Sequence, residues 1–151
     1  MTYTSTHPLA ERRAIPLPDP RALRAAVVVC IAYYLGARLG FALTLRPYPI
    51  STLWPPNSIL LAALLLTPVS WWWLVLLGAV PAHLAVELSS GVPPAMAAGW
   101  FVSNSSEALL GAGIMRQLLK GAPRFDRSRD VGVFVCAVFL AVSLSGILDA
   151  G

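Results

Sequence analysis

The sequence predicts an all-α fold: a polytopic transmembrane bundle of about five spans, the second broken at Pro55-Pro56. Three observations carry this expectation. Of 151 residues, 57% are apolar and only 12% are charged, whereas a soluble domain carries roughly 25% charged residues. The apolar residues fall in blocks of roughly twenty, the length that crosses a hydrocarbon core of ~30 Å at ~1.5 Å per residue. The basic residues collect at the flanks of those blocks, where they set topology.

Residues 1–21 are polar, with prolines at 8, 16, 18 and 20, and read as a flexible tail. No clean small-residue cleavage site follows the first apolar block, so that block is expected to remain as an anchor. Span one covers about Leu23 to Leu45, with Gly36 and Gly40 on one face for close helix packing. Span two runs from about Ile50 to Thr67, span three from Trp71 to Leu88, span four from Pro94 to Met115, and span five from near Val131 to Gly151. The connections at 67–70 and 89–93 are short, so neighbouring spans are expected to form antiparallel hairpins. The predicted organisation is a tail (1–21) and a transmembrane domain (22–151). The stop directly after an apolar block suggests the amino-terminal part of a longer protein.

Nine of the eleven Lys and Arg lie either in or next to the tail (Arg12, Arg13, Arg21, Arg24) or at 116–129 (Arg116, Lys120, Arg124, Arg127, Arg129). Four spans separate these groups, so both fall on one side, which the positive-inside bias places in the cytoplasm. Arg46 lies on the opposite side. The net charge of +4 is therefore a topology signal, and no basic stripe indicates nucleic acid. Cys30 and Cys136 sit in apolar blocks without C-x-x-C spacing, so neither a disulfide framework nor a zinc site is read. There is no Ser/His/Asp or Cys/His set, phosphate loop or paired-carboxylate motif, so no enzyme activity and no cofactor are expected.

The alternating spans bring polar residues to a similar depth: Arg38 in span one, Trp54, Pro55, Pro56 and Asn57 in span two, His83 and Glu87 in span three, Trp100, Asn104 and Glu107 in span four. Asp149 lies near the outer end of span five. A charge at mid-membrane costs roughly 2.5–3.5 kcal/mol on insertion scales, so Arg38 and Glu107 are expected to avoid lipid. Arg38 pairs with Glu107 or with Glu87 in this reading, as a structural pair or as a ligand contact. His83 and Glu87 are four apart, and Trp100, Asn104, Glu107 and Gly111 step by 4, 3 and 4, each set on one helix face. His83 and Glu87 have the i, i+4 spacing of metal ligands, but a third ligand is not evident and no metal site is read.

Beyond Pro56 only about eleven residues remain to Thr67, or ~17 Å of helix. Residues 50–54 are expected to complete the span in extended form, against protein or a wet cavity. Proline suits a first helical turn, and a half-helix amino terminus presents N–H groups to a pocket. The other reading is a short helix starting at the membrane surface, with Trp54 as an interfacial anchor. Trp71, Trp72 and Trp73 read as an interfacial belt.

The runs Y-Y-L-G-A-R-L-G, I-S-T-L-W-P-P-N-S-I-L-L-A-A-L-L-L, L-L-G-A-V-P-A-H-L-A-V-E-L, S-N-S-S-E-A-L-L-G-A and R-F-D-R-S-R-D-V together resemble the bacterial membrane-associated sensor (MASE) family of type one. The resemblance rests on Trp54–Asn57, His83–Glu87 and Asn104–Glu107, and it extends over the front portion of that family's domain. It implies a multi-pass sensory input domain of the bacterial inner membrane, amino terminus in the cytoplasm. Such a domain would detect a periplasmic or membrane stimulus and pass it to a histidine kinase or cyclic-di-GMP module absent from this chain. The implied partners are the lipid bilayer, a second membrane protein or small ligand, that output domain, and a second copy in a homodimer. A transporter fragment and a structural membrane subunit are the alternatives. Uptake or proton flux would mark the first, and polar residues acting only as packing glue the second.

Overall fold

The computed structural model describes residues 19–45, 50–51, 53–119 and 125–149. Most of the predicted tail (1–18), Arg46, Lys120, Arg124 and Gly151 lie outside the described residues. Five helices dominate: α1 (Pro20–Ala42), α2 (Pro55–Leu66), α3 (Trp72–Ser89), α4 (Pro94–Leu118) and α5 (Ser128–Asp149). A 3-10 turn at Val69–Trp71 leads into α3, and two short strands, β1 (Thr44–Leu45) and β2 (Ile50–Ser51), pair antiparallel between α1 and α2. The segments Pro20–Ala42 and Val69–Ser89 are both long and apolar enough to cross a bilayer, while α2 is apolar but short.

The helix ends follow local chemistry. Pro20 belongs to α1 rather than to the tail, because proline is tolerated at the first helical position, where no intrahelical partner awaits its missing N–H. Asp19 caps that end by accepting from the Arg21 N–H at 2.8 Å. Pro55 and Pro56 open α2 in the same way. Before them, Ile50 and Ser51 are extended, as the sequence suggested for 50–54, and are held in register with the strand that follows α1 by the pairs Thr44 with Ser51 and Leu45 with Ile50. The turn from α3 to α4 needs glycine. Gly91 has φ of +86°, its N–H donates to Leu88 O, and the Val92 N–H donates to Glu87 O. This is the two-bond left-handed helix ending that glycine adopts without a Cβ penalty.

Contacts give the direction of each helix. Ala26 faces Gly78, and Tyr33 faces His83, so α1 and α3 run parallel. Asn57 meets Glu107, and Leu64 meets Arg116, so α2 and α4 run parallel. Gly36 meets Ile59 while Gly40 meets Trp54, so α1 and α2 are antiparallel. The alternation is that of a chain passing back and forth across one layer. It gathers Arg21, Arg24, Arg116, Arg127 and Arg129 at one end, called the basic end below.

Residue size inverts between inside and outside. The buried positions are rich in alanine: Ala26, Ala37, Ala79, Ala97, Ala108, Ala112, Ala137 and Ala141. The exposed ones include Ile31, Leu35, Leu66, Leu77, Val102 and Phe139. A soluble bundle would bury the large side chains. Helices in lipid gain little by doing so and associate through small residues that let backbones approach. A central cluster of Val29, Tyr33, Leu60, Leu64, Val75, Ala79, Ala82, Ala108 and Ala112 joins α1 to α4, and Met115, Leu119 and Ala137 join α5 to α4.

Gly78 marks the tightest backbone approach. A Cβ there would lie 2.5 Å from the Ala26 carbonyl oxygen, whereas at Gly99 it would meet nothing within 4 Å. Gly78→Ala is expected to push α3 from α1 and to destabilise the bundle by about 1–3 kcal/mol. Gly99→Ala is expected to be neutral or to stabilise by up to about 1 kcal/mol. Thermal unfolding in detergent compares the two, and equal stability of both variants would refute the close approach.

Candidate functional site

The helix arrangement places polar side chains at two neighbouring positions. The first lies between α1, α3 and α4. His83 is fully buried, with Nε2 2.8 Å from Ala97 O and Nδ1 3.1 Å from the Tyr33 hydroxyl. A carbonyl only accepts, so Nε2 carries the hydrogen, and in the neutral ring Nδ1 accepts from Tyr33. The Asn104 side chain, on α4, also interacts with the Tyr33 hydroxyl. The Tyr33 and Phe101 rings pack around the imidazole at centroid distances of 5.9 and 5.3 Å. Glu87, one turn beyond His83, is 1% exposed, and its Oε2 is buried without a hydrogen-bond partner.

The second position is where α2 meets α4. Asn57 Nδ2 donates to Glu107 Oε2 at 2.9 Å. This pair closes one end of a cleft of about 500 Å³ between α2, α4 and α5. Ser58 joins the polar end, and the remaining walls are apolar, among them Leu61, Leu65, Phe134 and Val138. Asn57 Oδ1 is buried and unpartnered. Asn104 and Glu107 are three apart on α4, so one helix serves both positions, turning Asn104 to α1 and Glu107 to α2.

At its other end α2 is gripped by Arg116. The Arg116 guanidinium donates to the carbonyls of Leu64 at 3.2 Å, Leu65 at 3.3 Å and Thr67, and stacks 5.4 Å from the Trp72 ring. The Trp72 indole N–H donates to Leu64 O at 2.8 Å. Carbonyls left over in the last turn of a helix need partners, and a cation there also favours the helix dipole.

The predicted site residues therefore separate into groups. His83, Glu87 and Asn104 come together around Tyr33, and Asn57 joins Glu107 at the cleft. Trp54 and Pro55 pack on α1 instead: Trp54 covers Gly40 and meets the Phe41 ring edge-on at 5.5 Å, Pro55 lies against Gly36, and Pro56 is buried beside it. Arg38 and Trp100 stand outside both groups. Arg38 is exposed and pairs with neither Glu87 nor Glu107. The expected ion pair is corrected for a helical reason: Tyr33, Gly36, Ala37 and Gly40 face inward, and two residues from Gly36 or Gly40 is about 200° around the helix. Trp100 is 42% exposed although helical spacing puts it on the side of Ala97 and Gly111; it lies only six residues from the start of α4. The tryptophan run is divided rather than a uniform belt, with Trp73 exposed and Trp72 holding α2.

Tyr33, Arg116 and Trp72 were not anticipated as site residues. Tyr33 had a signal, since it lies three and seven positions before Gly36 and Gly40 on the same helix face. Arg116 was read only as a topology charge, and nothing in its sequence context points to carbonyls fifty positions earlier. Among the described residues no three His, Cys, Asp or Glu side chains come together to hold a metal.

The MASE1 family model matches residues 25–148. The chain belongs to the MASE1 family. It is thus a membrane sensory domain of signalling proteins, and the match covers all five helices apart from the first turn of α1 and the last residue of α5. No curated protein and no solved structure gave a match. In this MASE1 domain the W-P-P-N stretch fills two roles: Trp54 and Pro55 pack α2 on the α1 glycines, and Asn57 reaches Glu107.

Two substitutions test the geometry. Tyr33→Phe removes the partner of both His83 Nδ1 and Asn104, with an expected cost of about 1–3 kcal/mol, whereas Tyr34→Phe at an exposed position is expected within about 0.5 kcal/mol of wild type. Thermal unfolding in micelles separates them, and equal effects would remove the Tyr33 network. Arg116→Met keeps the long apolar stem but removes Nη2, the one nitrogen that reaches all three carbonyls. Hydrogen exchange at the Leu64, Leu65 and Thr67 amides is expected to accelerate in that variant and to stay slow near Tyr33. An unchanged rate would mean that Arg116 does not hold the end of α2.

Proposed function

We propose that this MASE1 domain is the sensory input of a bacterial signal-transduction protein of the inner membrane, with α2 as the element whose packing reports the stimulus. The observation that carries the reading is the way α2 is held. A 12-residue helix meets a polar pair in a cleft at one end and an arginine grip at the other. A stimulus that favours one packing of α2 over another shifts the population between them, and it can do so only through different affinity for the two. Glu107 and Arg116 both lie on α4, which leads to the basic end. Lys/Arg bias supports a cytoplasmic position for that end, where a histidine kinase or a cyclic-di-GMP enzyme would receive the shift. The domain itself performs no chemistry in this reading, and the stimulus is a small ligand or a second membrane protein reaching the cleft.

The test uses the complete signalling protein. Asn57→Leu removes the bond between α2 and α4 while keeping side-chain size, and Glu107→Gln keeps an acceptor but removes the charge that strengthens the bond. Each is expected to move the basal output, read as phosphorylation or cyclic-di-GMP turnover, by roughly 5–150-fold, the range of ordinary coupling energies. Membrane insertion and protein amount should not change. Wild-type output from both variants across growth conditions would rule out α2 as the reporter.

A further inference from the structure

Glu87 sits two residues from the end of α3, about 3 Å along the axis, at the end of the bundle opposite the basic one. It is 1% exposed, and its Oε2 is buried with no hydrogen-bond partner. The turn into α4 begins just after it. The Val92 N–H donates to the Glu87 backbone carbonyl, and Ser90 and Gly91 are exposed. The carboxyl is therefore enclosed by protein yet lies one short turn from the surface.

The ionisable groups near it are few. On α1, the Tyr33 hydroxyl is within electrostatic reach of the carboxyl, while Arg38 is exposed and does not pair with it. On α3 itself, His83 lies one turn earlier, with its ring nitrogens engaged by Ala97 and Tyr33. On α4, the uncharged Asn104 interacts with Tyr33, Glu107 turns to α2, and Arg116 stands at the basic end. The helix α2 contains no ionisable side chain. Among the described residues no Lys or Arg pairs with the Glu87 carboxyl.

We propose that Glu87 is a proton-binding site: the neutral acid is the form enclosed beside Tyr33, and its proton passes to water on the side opposite the basic end when α1 and α3 part. A bare carboxylate in a dry interior gives up its hydration and gains nothing in return. The acid brings an O–H of its own, which a carbonyl or the Tyr33 oxygen accepts. A proton is also a ligand that a closed site admits without any room being made for it. The exchange is a proton transfer between the carboxyl and water, with no other bond made or broken. The proton goes with the packed arrangement, so its concentration outside biases how α1 and α3 pack. The site is separate from the cleft and goes beyond the reading of α2 as reporter. Its route into the bundle runs through Tyr33 to Asn104, three positions before Glu107 on α4.

Two measurements test this. The first is the infrared C=O stretch of protonated carboxylic acids, which carboxylates lack, recorded on the chain in maltoside micelles in neutral buffer. Glu87→Gln keeps side-chain size and imitates the neutral acid. It is expected to remove a band that Glu107→Gln leaves in place. The second is the output of the complete signalling protein in spheroplasts, with the outer buffer taken from mildly acidic to mildly alkaline. The wild-type output is expected to change by roughly fivefold or more, the lower end of ordinary coupling, and Glu87→Gln to hold the acid-side value throughout. A wild-type spectrum without the band, or a band that survives Glu87→Gln, overturns the proton site. A band that belongs to Glu87 beside an output blind to outer pH overturns the bias on packing. Asn57→Leu judges the α2 reading separately. If that variant moves the output and outer pH does not, α2 remains the reporter and the proton input falls. If outer pH moves the output and Asn57→Leu does not, the proton site stands and the α2 reading falls.

Discussion

In hydrocarbon, a helix that stops short exposes backbone groups that water cannot reach, and each costs several kcal/mol if left unpaired. That constraint organises this structure. The helix α2 has 12 residues, about 18 Å at the helical rise against a core of ~30 Å. Both of its ends must therefore be completed by other parts of the molecule. At the first end, prolines supply residues with no N–H to satisfy, and the extended stretch before them pairs with the strand that follows α1. At the second end, Arg116 and Trp72 collect the carbonyls of Leu64, Leu65 and Thr67. The break in α2 thus determines what its neighbours carry.

The same constraint explains the glycines. If α2 is to be enclosed by protein, α1 must lie close beside it, and Gly36 and Gly40 make room for Ile59, Pro55 and Trp54. Gly78 does the same between α1 and α3. Close approach brings Tyr33 within reach of His83 and brings α4 near enough for Asn104 to join them. The polar network is a consequence of backbone proximity: a bulkier interface would hold these groups too far apart to bond, and each would then stand unsatisfied in a dry interior.

The fold class and the break at Pro55-Pro56 were legible because they rest on composition, block length and the special geometry of proline. The end of α2 was not. Its partners come from Arg116, whose own neighbourhood looks like an ordinary basic flank, and no local pattern encodes a contact across fifty residues. For the candidate site, His83 and Glu87 are both buried one turn apart on α3, as helical spacing had it, whereas Asn104 and Glu107, which spacing also grouped, turn to different neighbours. Spacing could not say which face of a helix meets which partner. Arg38 shows the limit. The cost of a charge in lipid argued for an internal partner, yet Arg38 lies only four residues from the end of α1, about 6 Å along the axis. A long arginine stem can carry its head that far to the interface. Trp100, six residues into α4, is near enough to its end to sit among headgroups as an aromatic anchor.

Two attachment points on one rigid neighbour give α2 its leverage. Glu107 and Arg116 are both on α4, nine positions apart, and the groups they hold on α2, Asn57 and the carbonyls around Leu65, are separated by nearly the same interval. The two helices run parallel with matched spacing, so both attachments form together without strain. A shift of α2 along its axis would loosen both at once, and a rotation would remove Asn57 from Glu107 while sweeping the carbonyls past a guanidinium that has several donors to offer. The grip at Arg116 therefore tolerates rotation better than the Asn57–Glu107 bond does. A stimulus that breaks the Asn57–Glu107 bond acts on the attachment less tolerant of rotation, and the motion it favours is a turn of α2 about a fixed basic end.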